Sequence, residues 1–194
     1  VPVTQERLAA TSEEAGAGAD GLGYPAVLKA CDAEFLHKTE HGLVRLNLAT
    51  RAQVEEAFAD IQERAGRAVK SIVYKMLKGE REFMAGVMRD PAFGPCVLFG
   101  LGGVYTEALR DTSFRLAPLA VRDAAEMIGD LRAQKLLGEF RRMPAVDRDA
   151  LAATLMGLGA AAVLHPEIKE IDLNPLLIVG AKPVALDALV VLGD

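Results

Sequence analysis

The chain has 194 residues, 51% of them hydrophobic and 25% charged, with a formal net charge of −5. That balance supports a packed globular core and excludes a disordered chain or a disulfide-stapled scaffold. It also excludes a broadly basic nucleic-acid surface, which needs clustered Lys and Arg, but not a site for a small anion held by a few local cations. No apolar run approaches the ~18 residues of a membrane span, and no signal peptide opens the chain. Cys31 and Cys96 lie far apart in apolar runs, which reads as two buried free thiols in a reducing, cytoplasmic compartment. A first residue of Val1 is expected of an excised domain or a processed chain.

In chain order, residues 11–23 read as a short helix of poor propensity, interrupted by Gly16 and Gly18. Residues 24–30 form an apolar strand entered through Pro25, and residues 43–48 a second, alternating strand. Thr50-Arg51-Ala52-Gln53 is a capping box, followed by Val54, Phe58, Ile61 and Ala65 at helical spacing. Strands follow at 71–77 and 82–88, joined by a turn at Lys78-Gly79-Glu80-Arg81, and another at 96–99. Gly100-Leu101-Gly102-Gly103 breaks that strand before 104–109, and 114–116 is strand-like. Residues 121–137 and 147–164 carry helical patterns, the second with Asp147 as N-cap. The end, 171–179, a turn at 180–183 and 184–192, reads as a hairpin. Strands and helices in irregular order indicate an α+β fold. A lobe boundary falls near 70–77, giving lobes of 1–70 and 71–194.

The terminal hairpin holds the sharpest chemical signal. Asp172 and Asn174 alternate with Ile171 and Leu173 and so share a face, while Asp187 interrupts an apolar return strand. A two-residue turn with Gly180 first sets Asn174 directly opposite Asp187; a four-residue turn sets them diagonally. Either pairs two oxygen ligands suited to a hard cation such as Mg²⁺. A three- or five-residue loop reverses the parity, and Asp187 is then a solvated residue on an edge strand. Lys29 ends an apolar strand, either to meet a phosphate as a point charge or to reach water past its own stem. His37 lies in a polar loop, where an imidazole is a nucleophile or phosphoryl acceptor or is only solvated. Glu82 opens a strand after a turn, placed for a ribose hydroxyl or a metal. The glycine run at 100–103 fits neither the dinucleotide fingerprint nor a P-loop, leaving close backbone approach or a tight turn.

Together these segments resemble a known family. Gly23-Tyr24-Pro25-Ala26-Val27-Leu28-Lys29, His37-Lys38-Thr39, Val44-Arg45-Leu46-Asn47-Leu48, Arg89-Asp90-Pro91-Ala92-Phe93-Gly94-Pro95, Phe99-Gly100-Leu101-Gly102-Gly103 and Ile171-Asp172-Leu173-Asn174-Pro175-Leu176 with Asp187 occur in order over nearly the whole chain. So do Glu107, Asp111 and Phe114-Arg115-Leu116-Ala117-Pro118-Leu119. They are similar to the ATP-grasp domain of ADP-forming acyl-CoA (acetyl-CoA) synthetases, related to the β subunit of succinyl-CoA synthetase. The resemblance implies an ATP-grasp fold of two lobes with mixed or antiparallel sheets and packing helices, closing around ATP or ADP. It implies that Lys29 contacts phosphates, that Ile72, Val73, Tyr74 and Lys75 form a hinge whose backbone reads the adenine, and that Glu82 sits by the ribose or triphosphate. Asn174 and Asp187 would hold Mg²⁺, and His37 would relay a phosphoryl group.

The implied activity is that of an acid-thiol ligase. It interconverts acyl-CoA, ADP and phosphate with acyl acid, CoA and ATP through an acyl phosphate and a phosphohistidine. CoA-binding and ligase domains would be supplied in cis or by a second subunit, in an oligomer. The chain departs from the family pattern at Leu43, in place of a glycine, and at Tyr74-Lys75. These departures support an alternative, a degenerate regulatory or assembly domain such as one fused to a protein acetyltransferase.

Overall fold

The computed structural model describes residues 1–32, 42–79, 81–103 and 109–193. It divides into two compact units, Thr4–Leu77, and Val1–Val3 with Lys78–Asp194. The first unit is a four-stranded antiparallel sheet ordered β1-β4-β2-β3. Its strands are β1 (Glu6–Ala9), β2 (Ala26–Cys31), β3 (Val44–Leu48) and β4 (Lys70–Lys75), with helices α1 (Ser12–Leu22) and α2 (Arg51–Ala65). Because β4 is an interior strand of this sheet, the division falls after Leu77, at the far end of the 70–77 stretch rather than at 70/71.

One face of that sheet packs on both helices. Leu28, Ala30 and Val73 from the strands join Ala15, Ala19, Val54, Phe58 and Ile61 in a closed core. The glycines of α1 lower its helix propensity but allow this approach: a Cβ at Gly18 would stand 2.7 Å from Val73 Cγ1. Thr50 caps α2 by accepting from the Gln53 amide, while Gln53 reaches back to the Ala49 amide at 2.7 Å. An N-cap of this kind is worth about 1 kcal/mol. Leu43 is buried in the same core, so this departure from the family pattern fills the interior rather than a ligand-facing position. β1 has no counterpart in the sequence reading.

The second unit is a six-stranded sheet ordered β10-β8-β5-β6-β7, with β9 also pairing β8. Its strands are β5 (Glu82–Asp90), β6 (Gly94–Leu101), β7 (Thr112–Leu116), β8 (Ile168–Val179), β9 (Lys182–Ala185) and β10 (Leu189–Leu192). Helices α3 (Val121–Asp130), α4 (Gln134–Leu137) and α5 (Arg148–Leu164) complete it. One sheet face is buried against the helices: Phe83, Ala85, Val87, Val97 and Phe99 meet Met127, Ile128, Leu151 and Leu155. Phe83 and Phe99 stack at 5.4 Å. Burial of each such side chain contributes roughly 1.5–3 kcal/mol. Asp147 caps α5 by accepting from the Ala150 amide at 2.9 Å.

The structure departs from the sequence expectations at five further points. The helical pattern at 121–137 is two helices, because the buried Asp111 carboxylate accepts from the Arg132 and Ala133 amides at 2.9 and 2.8 Å and breaks the run. The return strand 184–192 is also two, β9 and β10, separated by residues 186–188. Arg81, read as part of a turn, is only 3% exposed. β6 runs through Gly100 to Leu101 rather than ending before the glycines. Cys31 and Cys96 are free and only partly buried. Residues 104–108 lie outside the described set. Among the described residues, no helix is long and apolar enough to cross a membrane.

Candidate functional site

The site in the second unit is built by the β8–β9–β10 register. Val179 pairs with Lys182 and Leu176 with Ala185, so Gly180 and Ala181 form a two-residue turn, with Gly180 at φ 62°. Beyond a gap, Asp172 pairs with Leu189 in the same register, and inside it the Leu186 amide donates to Pro175 O at 3.2 Å. Asn174 therefore lies across from Asp187, the placement expected of a Gly-first two-residue turn. On its other side, β8 pairs β5 with a one-residue shift between Phe83 and Ala85. Asn174 and Pro175 thus bulge opposite Met84, a device that re-aims side chains, and Asn174 is exposed.

Asp172 joins this pair. It sits opposite Gly86 of β5 and Leu189 of β10, on the sheet face turned away from the helices. Its carboxyl is pushed above the ordinary aspartate value, first by burial and then by the charges of Glu170 and Asp187. The sequence alternation had already placed Asp172 on the face of Asn174; the crowding of carboxylates, which marks it as a site residue, arises from strand pairing. A cavity of about 340 Å³ opens beside the group, lined in part by Met84, Gly86, Leu98, Phe114, Asp172 and Asn174. Among the described residues, no three His, Cys, Asp or Glu side chains form a metal cage by themselves. What is present is an amide oxygen and neighbouring carboxylates, a partial oxygen shell of the sort that Mg²⁺ completes with water and phosphate.

Glu82 lies farther along the same face, since residues 82, 84 and 86 of one strand share a side. The glycine turn packs on it. The Gly102 amide donates to Glu82 O at 2.9 Å. Gly103 has φ 63°, and a Cβ there would stand 2.6 Å from Glu82 Oε2. The glycine run thus serves close packing of a strand start.

In the first unit, Lys29 lies across from Ile72 and Val44 and is only 5% exposed. Its ammonium stands over the Tyr74 ring, 5.3 Å from the centroid. This corrects the reading of a strand-end lysine reaching water. Ile72, Val73 and Tyr74 are paired on both sides, with β1 and with β2, and Lys75 with β2. Backbone engaged in two ladders cannot also read a base edge, which corrects the hinge assignment of Ile72, Val73 and Tyr74; Lys75 is paired on one side only. The chain leaves the sheet at Met76, whose amide donates to Pro25 O at 2.8 Å. His37 lies outside the described residues.

The structure therefore places Glu82, Asn174 and Asp172 on one sheet of one unit, with Asp187 in the connection between two of its strands. Lys29 and Tyr74 come together in the other.

A family model for the ATP-grasp domain matches residues 1–192. Over 198 residues the chain is 38% identical to the β subunit of ADP-forming acetate–CoA ligase I of Pyrococcus furiosus, covering 99% of this chain and 85% of that subunit. It is 37% identical to the ADP-forming acetate–CoA ligase I of Archaeoglobus fulgidus, covering 100% of this chain but 29% of that protein. The chain thus spans most of one relative and less than a third of the other. Among solved structures it is similar to a dinucleotide-forming acetyl-coenzyme A synthetase 1 of Ca. Korarchaeum cryptofilum, in complex with coenzyme A, Ca-AMPCP and HgCl+. The TM-score is 0.93 and the identity 38%, covering 100% of this chain and 87% of that one. With its two antiparallel sheets and packing helices, the chain belongs to the ATP-grasp family, among the ATP-binding β subunits and domains of ADP-forming acetate–CoA ligases.

Proposed function

We propose that this chain is the nucleotide-binding part of an ADP-forming acyl-CoA ligase, acting with CoA-binding and ligase domains in cis or in a second subunit. The observation that carries the reading is that Asp172 and Asn174 share the outer face of β8 beside an open cavity, with Asp187, in the connection between β9 and β10, near enough for its charge to raise the Asp172 carboxyl. The donors are hard oxygens and their mutual repulsion favours a bound divalent cation, so the residues present fit Mg²⁺. When bound, the cation would neutralise phosphate charge. A Korarchaeum relative of 38% identity has been solved with coenzyme A and Mg-AMPPCP, its phosphohistidine segment pointing towards the nucleotide-binding site.

Within this chain, Lys29 supplies a fixed cation for phosphate oxygens, held in place by the Tyr74 ring. Glu82 is offered to the ribose, and the segment after β4, from Met76, to the base. His37 stands as the candidate relay between a partner's phosphohistidine and the nucleotide. In the whole reaction, phosphate displaces CoA from acyl-CoA to give acyl phosphate. Its phosphoryl group passes to histidine and then to ADP, releasing the acid and ATP. Such chemistry asks the protein mainly to position phosphates and neutralise charge. A cytoplasmic setting accords with two free thiols.

The alternative, a degenerate regulatory domain, drew on Leu43 and Tyr74-Lys75. Leu43 is interior packing, and Tyr74, a departure within the proposed hinge, sets its ring beneath the Lys29 ammonium. Reconstitution tests the proposal: the chain is mixed with the CoA-binding subunit of an ADP-forming ligase, and ATP is followed from acetyl-CoA, ADP and phosphate. ATP formation that is lost in Lys29→Met and His37→Asn supports the reading. A complex that forms but makes no ATP favours the regulatory alternative.

A further inference from the structure

The segment between α4 and α5 folds back on itself. The Val146 amide donates to Leu137 O at 2.9 Å, and Phe140 and Met143 exchange amide–carbonyl bonds at 3.2 and 2.8 Å. That mutual pair closes a two-residue turn whose central residues are Arg141, at φ 46°, and Arg142, at φ 67°. Consecutive positive φ values are the geometry of a turn normally filled by Asn-Gly. The left-handed region disfavours any residue carrying a Cβ, and strain of this kind persists where the surroundings over-determine it.

The surroundings do so here. The buried Arg81 guanidinium donates to Leu136 O, Gly138 O and Pro144 O, gripping both legs of the turn. Leu137 and Val146 are buried at its base. At the tip, Arg141 and Arg142 are both exposed, and the Arg141 guanidinium lies 5.2 Å from the centroid of the Phe140 ring. Arg45, Arg51, Arg64, Arg67, Arg115 and Arg122 each have a carboxylate partner. Among the described residues Arg141 and Arg142 have none; Arg7 and Arg110 also have none, but Arg141 and Arg142 are adjacent in the chain, whose net charge is −5. Two adjacent guanidinium forks on an anchored turn suit bidentate phosphate recognition.

We propose that the Arg141–Arg142 turn is an accessory site for a phosphate group, separate from the carboxylate and amide cluster on β8. The choice of phosphate over other anions rests on the ligase reading, because that reaction's nucleotide and CoA both carry phosphates. The test follows the arginine Nε–Hε resonances of the ¹⁵N-labelled chain during titration with pyrophosphate, CoA or ADP. Saturable shifts of Arg141 and Arg142, with Arg122 unmoved, are expected with pyrophosphate. The same shifts with CoA, or with ADP at an affinity that Mg²⁺ and Asp187→Ala leave unchanged, identify the source of the phosphate. Arg142→Gly should raise Tm by about 2–4 °C by relieving the turn while weakening pyrophosphate binding at least about fivefold. Arg141→Lys/Arg142→Lys, which keeps the charge but loses the forks, should weaken it too. Shifts that do not saturate, or unchanged affinity in both variants, would overturn the proposal. Because Asp187→Ala leaves this turn intact, failure of the nucleotide site and failure of the turn are read separately.

Discussion

The Lys29 ammonium and the Tyr74 ring face each other on neighbouring strands, 5.3 Å from nitrogen to ring centroid, with both residues buried. Their strands are paired so that Lys29 lies opposite Ile72 and Tyr74 opposite Val27, which puts both side chains on the face away from the helices. A desolvated cation–π contact of this kind is worth about 2 kcal/mol. If Lys29 binds phosphate, Tyr74 is its positioning residue. Tyr74→Phe should keep the Mg-ADP affinity within about twofold, whereas Tyr74→Leu should weaken it by roughly 10-fold, the equivalent of about 1.4 kcal/mol. Equal affinities for the two variants, by calorimetric titration, would remove the ring from the site.

The Asp172 carboxyl is harder to ionise in the folded chain than in the unfolded one, through burial and the charges of Glu170 and Asp187. The unfolded state therefore releases this proton first. The contribution of Asp172 to stability is greatest below the ordinary value of 3.8 and is lost as pH rises through its raised folded value. Asp60, held low chiefly by its hydrogen bond from Arg45, contributes the opposite slope, so the informative quantity is the difference between wild type and Asp172→Asn. In metal-free buffer that variant should gain Tm over wild type as pH rises from 4 to 7. With Mg²⁺ at pH 7 its advantage should shrink. A constant difference at all pH values would contradict the assignment.

Gly86 is required by the ladder that holds Asp172. A Cβ there would stand 2.3 Å from Ile171 O, against backbone that cannot turn aside. Gly86→Ala should cost about 1–3 kcal/mol, the usual range for overpacking, and weaken the Mg²⁺ effect on nucleotide binding. Gly157 is the contrasting case, an exposed position in α5 with open space around its Cβ direction. Gly157→Ala should gain about 0.8–1 kcal/mol from helix propensity alone. Thermal denaturation of the pair checks both signs.

Local signals in the sequence were strong where structure is local. The caps Thr50 and Asp147 could be read directly. The turn at Gly180 was open to several lengths, and the two-residue form it takes sets Asn174 opposite Asp187. Features made by distant partners could not be read. Asp111 breaks a helical pattern 21 residues away, and β1 is too short and polar to stand out before it pairs with β4. Residues 71–77 read as a strand, but nothing in them says that β1 and β2 flank residues 72–74 on both sides, and their hinge role came from the resemblance. Asp172 was on the right face, but its crowding comes from Glu170 and Asp187 and from the sheet around it. The twist that brings Tyr74 to Lys29 is likewise invisible in a list of residues. The functional reading came chiefly from motif order along the chain.

The most direct test measures ADP affinity with and without Mg²⁺ for the wild-type chain and for Asp187→Ala. Mg²⁺ should strengthen wild-type binding by about 10-fold or more, near 1.4 kcal/mol. That gain should vanish in Asp187→Ala while the Mg-free affinity stays within about twofold. An undiminished Mg²⁺ gain in the variant would contradict the placement of the cation between Asn174 and Asp187.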